Sequence, residues 1–250
     1  MEFSGKVAIV TGAGQGIGER IALNFAERGA DVAVIDLNLE TAGTVAAKIK
    51  ELGRKSTAVK TDVSVSAEAK KMVQQVLAEL GTVDILVNNA GFVNAEPSYF
   101  IQEIEDYWDR IIDVCYKGVL YCTKAVLDTM IEKKSGKIVS IASDAGRVGQ
   151  QGQAVYSGAK GAVIAFSKAL AKEVARYKIN VNCVAPGATN TPAFQLMPEE
   201  MRQKIGNSYL FKRVAETQDI ANAVSFLSSE DSCYMTGQVL SVSSGYTMIW

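Results

Sequence analysis

Tyr156 and Lys160 stand four positions apart in the stretch AVYSGAK of a 250-residue chain that contains no histidine. On a helix, that spacing places both side chains on one face, where they converge on a single point. A phenol titrates near pH ~10 and is a poor base at neutral pH. A neighbouring ammonium favours the phenolate and lowers that value, so the pair can take a proton from a hydroxyl group. Ser143 closes the upstream run IVSIAS. Its hydroxyl can bond a substrate oxygen and hold it near the phenol as charge develops. Taken alone, a tyrosine and a lysine at helical spacing are most often a surface or packing pair. The acid–base reading gains its weight from Ser143 and from a glycine-rich loop far upstream.

The composition narrows the other possibilities. Without histidine, Ser-His-Asp hydrolysis and His-containing metal triads are excluded, which leaves Tyr, Lys, Asp, Glu or Cys for proton transfer. Cys115, Cys122, Cys183 and Cys233 form no C-x-x-C pair and have no histidine to complete a common zinc set, so they read as reduced thiols, mostly buried, and no metal is expected. A formal charge of -1 gives no positive field for a nucleic-acid backbone or an anionic membrane surface. MEFSGKVAIV lacks the pattern of a secretory signal, and no apolar run reaches the roughly 18 residues needed to cross a bilayer. The expectation is a soluble cytoplasmic protein with neither nucleic-acid nor membrane partners.

Short runs rich in Val, Ile and Ala recur at Val7 to Val10, Val32 to Ile35, Thr57 to Val59, Ile85 to Val87, Ile138 to Ile141, Val181 to Ala185 and Val239 to Val242. Segments of helical period lie between them: Ile17 to Arg28, Leu39 to Leu52, Ala67 to Leu80, Tyr107 to Ile131, Ala154 to Tyr177 and Gln218 to Leu227. Strands this continuously apolar are covered on both faces, so the pattern predicts an α/β protein: one domain over residues 1–250, with a seven-stranded parallel sheet and helices on each side. Gly53, Gly81 and Gly136 follow helical segments and suit left-handed C-cap positions. Pro186, Pro192 and Pro198 cluster in a stretch that reads as a long loop, and loops of that length usually carry a function.

VAIVTGAGQGIGERIA places Thr11, Gly12, Gly16 and Gly18 directly after a strand and at the opening of a helix. Backbone N–H groups and the positive end of the helix can then face a pyrophosphate, the arrangement of a dinucleotide site. Asp36 ends the second strand, where a carboxylate can accept hydrogen bonds from ribose hydroxyls and repel a 2′-phosphate. Gln15 and Leu37 provide no cation to hold such a phosphate, so the expected cofactor is NAD. The alternative for Asp36 is a solvated acid at a strand end.

These residues resemble the short-chain dehydrogenase/reductase family over essentially the whole chain. TGxxxGxG at 11 to 18, Asp62-Val63, Asn88-Asn89-Ala90-Gly91, Ser143, Tyr156 with Lys160, and PGxxxT from Pro186 to Thr191 occur in the family's order and spacing. The resemblance implies a doubly wound Rossmann fold with Gln15 and Ile17 in the glycine loop against NAD, Asp62 and Val63 in the adenine pocket, and Asn89, Ala90 and Gly91 along the cofactor. It further implies that Thr191, with the backbone at Thr189, holds the nicotinamide carboxamide, that Pro186 and Gly187 also lie at the cofactor, and that Lys160 bonds the nicotinamide ribose. The Asn-Asn-Ala-Gly stretch also reads as an ordinary strand-to-helix turn, and the two readings are compatible. Cys115 stands where many members carry an asparagine that helps a water relay protons to the lysine. As a small buried thiol it also suits a helix interior on packing grounds alone.

The signal for the substrate is thinner. Residues 187–215 read as a lid, and Phe92, Val93, Phe194, Leu196 and Met197, within segments around Phe92 to Tyr99 and from Thr191 through Leu210, favour a hydrophobic secondary alcohol over a sugar. SDAGRVG after the serine, and GQVLSVSSGYTM where relatives often have VDGG, resemble the β-hydroxyacyl-CoA dehydrogenases of anaerobic aromatic degradation. That likeness implies a CoA thioester with an aromatic or alicyclic acyl group. Arg147 suits a substrate carboxylate or a CoA phosphate, and equally suits an exposed loop arginine without a partner. A 3-oxoacyl reductase is the competing enzyme, and Asp36 speaks against its NADPH. A catalytically quiet NAD-binding subunit is the competing class. The family resemblance also implies a tetramer, of one or two kinds of subunit, with the apolar ending YTMIW suited to burial against a neighbour.

Overall fold

In the computed structural model of the protein, which describes residues 1–93 and 98–248, the apolar runs become strands and the helical-period segments cross between them. The order is β1 (Val7–Thr11), α1 (Gly16–Glu27), β2 (Asp31–Asp36), α2 (Leu39–Glu51), β3 (Ser56–Lys60), α3 (Ser66–Leu80) and β4 (Ile85–Asn88). Next come α4 (Trp108–Ile112), α5 (Gly118–Lys133), β5 (Gly136–Ile141), α6 (Ala145–Val148), α7 (Ala154–Val174) and β6 (Ile179–Pro186). The chain ends through β7 (Thr189–Asn190), α8 (Pro192–Gln195), α9 (Glu199–Ser208), β8 (Ala215–Glu216), α10 (Thr217–Ser228) and β9 (Val239–Val242).

Seven strands form one sheet in the order β3-β2-β1-β4-β5-β6-β9, with every neighbouring pair parallel. Side chains alternate across a strand, so β1 sends Ala8 and Val10 to one face and Val7 and Ile9 to the other. The first face is covered by Ile21 and Phe25 of α1, Val45 and Ile49 of α2, and Ile220 and Leu227 of α10. The second is covered by Met72 and Val76 of α3, Val126 and Met130 of α5, and Leu170 and Val174 of α7. Burying an aliphatic side chain of this size contributes about 1.5–3 kcal/mol, which explains why both faces are apolar without interruption. The strand order reverses between β1 and β4, so a crevice opens beyond their carboxyl ends.

Three local expectations are corrected. The segment Tyr107 to Ile131 is not one uniform helix: between α4 and α5, residues Asp113–Lys117 form a turn of π-helix with Cys115 at its centre. Such wide turns often occur at functional sites. Gly53 and Gly81 do take positive φ, but the left-handed position after α5 belongs to Lys134, at φ 50°. Gly136 instead begins β5, where an added Cβ would lie 2.5 Å from the Met130 Sδ, so close packing excludes a side chain there. The proline cluster is not plain loop either. Pro186 ends β6, Pro192 opens α8 and Pro198 precedes α9, because proline loses nothing in the first turn of a helix.

Among the described residues, no helix is long and apolar enough to cross a membrane and no cluster of candidate ligands could hold a metal ion. Cys115, Cys122 and Cys183 are buried and Cys233 is exposed; none is in a disulfide. Burial pushes the Cys122 thiol up to about 12 and that of Cys183 up to about 11, so both remain neutral packing groups. Ile249 and Trp250 of the YTMIW ending lie outside the described residues.

Candidate active site

The glycine loop takes its shape from contacts on both sides. Gly12 and Gly16 have φ near 61° and 60°, which L side chains rarely adopt. A Cβ on Gly18 would overlap the Gly12 carbonyl, so the start of α1 can lie against the loop only without one. Thr11 ties this loop to the end of β4: its Oγ1 accepts the Asn89 and Ala90 N–H groups at 3.0 and 3.1 Å. The Asn89 amide in turn donates to the Thr11 and Gly12 carbonyls at 2.9 and 3.0 Å, so that side chain serves the turn. Ala90 and Gly91 follow along the crevice.

Asp36 closes β2 and accepts the Gly14 N–H at 2.8 Å through Oδ2 and the Asn38 N–H at 2.9 Å through Oδ1. A side chain at Gly14 would collide with Asp36 and Thr41, a constraint the TGxxxGxG pattern does not show. Gln15 and Leu37 are exposed beside this end, and Ile17 packs against the core. Asp62 Oδ1 accepts from the Ser64 hydroxyl and N–H, while Val63 is buried against Gly118. Across the crevice, an added Cβ at Gly16 would sit 3.6 Å from the Thr191 methyl. Thr191 caps α8 by accepting the Phe194 N–H, and Thr189 Oγ1 donates to the Gly187 carbonyl next to Pro186. These contacts bring Gly12, Gly16, Asp36, Asn89, Ala90 and Thr191 together around the glycine loop. The bare turn at Gly14 beside a carboxylate, facing a helix N-terminus with glycine on its inner side, fits an adenosine ribose and a pyrophosphate.

Ser143 follows β5, and Tyr156 and Lys160 lie on the first turns of α7. Lys160 is buried, 5.8 Å from the Tyr156 ring centroid, and donates to the Ile141 carbonyl at 2.7 Å. The Ser143 Oγ accepts the Ala145 N–H at 3.1 Å, which fixes the turn that carries it. Burial pushes the Tyr156 phenol above its ordinary value. The Lys160 charge opposes that rise, Cys115 adds to it, and a hydrogen bond with Ser143 lowers it. The expected lowering counts the charge of an oxidised nicotinamide as well as the lysine; among the chain's own groups alone, desolvation outweighs the one ammonium.

Cys115 is fully buried. Its Sγ accepts the Phe92 N–H at 3.2 Å and donates to the Phe92 carbonyl at 3.1 Å, which fastens the segment after β4 to the π turn. It packs with Ile111, Ala159, Phe92 and Tyr156. Phe92 lies under the Arg110 guanidinium, 4.2 Å from the ring centroid, and 6.3 Å from Tyr107. Part of its apolar surface therefore serves packing. Phe194 and Met197 are half-buried in the 187–215 segment and Leu196 is exposed. Residues 94–97 of the expected Phe92-to-Tyr99 wall lie outside the described residues.

Arg147 is not an unpartnered loop arginine. It pairs with Asp144 at 2.9 Å and donates to Thr247 Oγ1 at 2.9 Å. Asp144, Ser241 and Thr247 were not singled out from the sequence, since no local pattern announces their meeting. Gly146 was also missed: it packs directly on the backbone of Lys160 and Gly161.

Together the sheet, the glycine loop and the tyrosine–lysine pair define an oxidoreductase of the doubly wound α/β class. A family model described as enoyl-(acyl carrier protein) reductase matches residues 12–247. The (2S)-[(R)-hydroxy(phenyl)methyl]succinyl-CoA dehydrogenase subunit BbsD of Thauera aromatica is 39% identical over 248 residues, which are 99% of each chain. The 3-oxoacyl-[acyl-carrier-protein] reductase FabG of Escherichia coli is 38% identical over 250 residues, the whole of both chains. Among solved structures, NAD+-bound xylitol dehydrogenase superposes with a TM-score of 0.94 at 31% identity, covering 98% of this chain and 100% of that one. The 3-ketoacyl-(acyl-carrier-protein) reductase from Brucella melitensis complexed with NADH gives 0.92 at 34% identity, over 98% and 100%. The chain belongs to the short-chain dehydrogenase/reductase family.

Proposed function

We propose that the protein is an NAD-dependent dehydrogenase that interconverts a secondary alcohol and a ketone, with a hydrophobic β-hydroxyacyl-CoA as its substrate class. The observation that carries the reading is the convergence of Ser143, Tyr156 and Lys160, with Lys160 Nζ 3.7 Å from where a Cβ on Gly91 would lie. Tyr156 takes the hydroxyl proton, Ser143 holds the same oxygen, and Lys160 supports the phenolate and binds a ribose hydroxyl. NAD, when bound, supplies the acceptor for the substrate's hydride and a positive charge beside Tyr156. Asp36 holds the adenosine ribose, with Gly12, Gly16 and Gly18 at the pyrophosphate and Thr189 and Thr191 at the carboxamide. Retention of all three reactive side chains weighs against a quiet subunit. The exposed Phe100, Ile101, Ile104 and Ile112 before and along α4 form an apolar surface suited to contact with another subunit.

The test is a panel of aromatic and alicyclic hydroxyacyl-CoA thioesters, 3-hydroxyacyl-acyl-carrier-protein and free alcohols, each assayed with NAD and NADP. The CoA thioesters with NAD should give the highest kcat/KM. Preference for the carrier-protein substrate with NADP would instead establish a 3-oxoacyl reductase. In the same assay, Asp36→Ala should raise the KM for NAD about ten- to a hundredfold, the worth of charge-assisted hydrogen bonds of ~1.5–3 kcal/mol, with kcat little changed.

Cys115→Ala removes a donor and acceptor from the half-buried Phe92 backbone, so it should destabilise the protein by about 1 kcal/mol in denaturant unfolding. Cys115→Asn retains a donor and an acceptor, and should keep the fold while changing turnover only modestly. Complete loss of turnover in a folded Asn variant would show that the thiol has a positive role.

A further inference from the structure

We propose that Asp144 is a positioning residue for the reaction: its carboxylate fastens the carboxyl-terminal segment, residues 241–247, to the turn that carries Ser143 and so couples that turn to both ends of the 187–215 segment. The inference rests on the assignment of Ser143 made above. Asp144 is only 4% exposed, and a carboxylate so buried is held by its partners. Ser241 Oγ lies 3.0 and 3.1 Å from its two oxygens, Thr247 Oγ1 donates to Oδ2 at 2.5 Å, and Arg147 donates to Oδ1 at 2.9 Å. All three partners donate to a carboxylate, and the Thr247 bond is the shortest of them. The Asp144 N–H donates to the Pro186 carbonyl at 3.1 Å, immediately before the lid.

The same terminal segment then reaches both lid ends. Ser241 and Ser243 share a hydrogen bond at 2.8 Å, and a Cβ on Gly187 would lie 3.1 Å from the Ser243 Cβ. Ser244 takes φ 48° and accepts the Phe211 N–H at 2.8 Å. Tyr246 packs on Tyr209 with ring centroids 4.9 Å apart, and the Tyr209 hydroxyl accepts the Ala188 N–H at 2.6 Å. A chain of hydrogen bonds and ring packing therefore runs from the turn of Ser143, through Asp144, to Ala188 at one lid end and Phe211 at the other. Ser143 itself is aimed by the Ala145 N–H, one residue beyond Asp144. Loosening the carboxylate frees the turn, and a displacement of ~1 Å in a reacting group costs about a hundredfold in rate.

Arg147, bonded to both Asp144 and Thr247, is part of the clamp.

Asp144→Asn, Ser241→Ala and Thr247→Val are made in the full chain. Measured are the binding of NADH by fluorescence, kcat and KM for the best substrate of the panel, and amide hydrogen exchange. Asp144→Asn should lower kcat about a hundredfold and weaken NADH binding by no more than about tenfold, because residues 187–190 loosen while the Asp36 end is untouched. Exchange should rise together in three places: the residues flanking Ser143, residues 187–190 and 209–211, and residues 241–247. Thr247→Val and Ser241→Ala should show the same pattern at smaller amplitude, and they carry the test if Asp144→Asn does not fold. Unchanged kcat in a folded variant overturns the proposal. So does exchange that rises uniformly or only in residues 241–247, the mark of a purely stabilising cluster. If Tyr156→Phe retains full activity, the reading of the reaction fails while the exchange result still decides whether the clamp exists.

Discussion

Replacing Tyr156 by phenylalanine should lower alcohol oxidation about a hundred- to ten-thousand-fold, the usual contribution of a positioned proton acceptor, while NADH binding and the melting temperature stay near wild type. The ring is half-buried among Ile111, Cys115 and Ala159, and phenylalanine fills the same space, so only the hydroxyl is lost. The pH dependence supplies a second signature. Burial raises the Tyr156 pKa and Lys160 lowers it. Because the base form is the phenolate, oxidation should rise with pH through the neutral and alkaline range. Lys160→Met removes the lowering influence and should shift that rise to higher pH. A Tyr156→Phe enzyme with unchanged turnover would exclude this residue as the proton acceptor.

Gly146→Val should cost about a hundredfold or more in kcat, for a reason that lies wholly in packing. A Cβ at this position would lie 2.6 Å from the Lys160 carbonyl carbon and 2.8 Å from the Gly161 nitrogen. Backbone atoms cannot rotate out of the way, so α6 must move off α7, and with it the turn of Ser143 relative to Tyr156 and Lys160. Overpacking of this kind costs ~1–3 kcal/mol of stability, visible as a lower melting temperature. Gly158, two residues beyond Tyr156 on α7, is the control. A Cβ there meets nothing within 4 Å, so Gly158→Ala should be tolerated and should stabilise the helix by about 0.5–1 kcal/mol. Equal losses of activity in the two variants would mean that helix α7 is merely sensitive to any change.

Much of the molecule was legible in the order of its residues. Continuous runs of Val, Ile and Ala determine the seven strands, because a residue's partition between water and core depends first on its own chemistry and its immediate neighbours. The glycine loop, Asp36, Ser143 and the Tyr156–Lys160 spacing were legible for the same reason: each is a local backbone or helix-face requirement. The turn of π-helix at Cys115 was not, since the side chain at its centre bonds a residue 23 positions away. Nor was the sign of the Tyr156 shift, which depends on how completely other segments exclude water from the ring. The pairing of Asp144 with Ser241 and Thr247 spans 97 and 103 positions, so two phrases that stood apart in the chain become one cluster only when β5 and β6 lie side by side with β9 beyond them. By itself the sequence determined the elements and marked the candidate reactive groups. The tertiary structure alone decided which distant groups meet and how far water is excluded, because both are set by the packed sheet and its helices and neither is a property of any single stretch of chain.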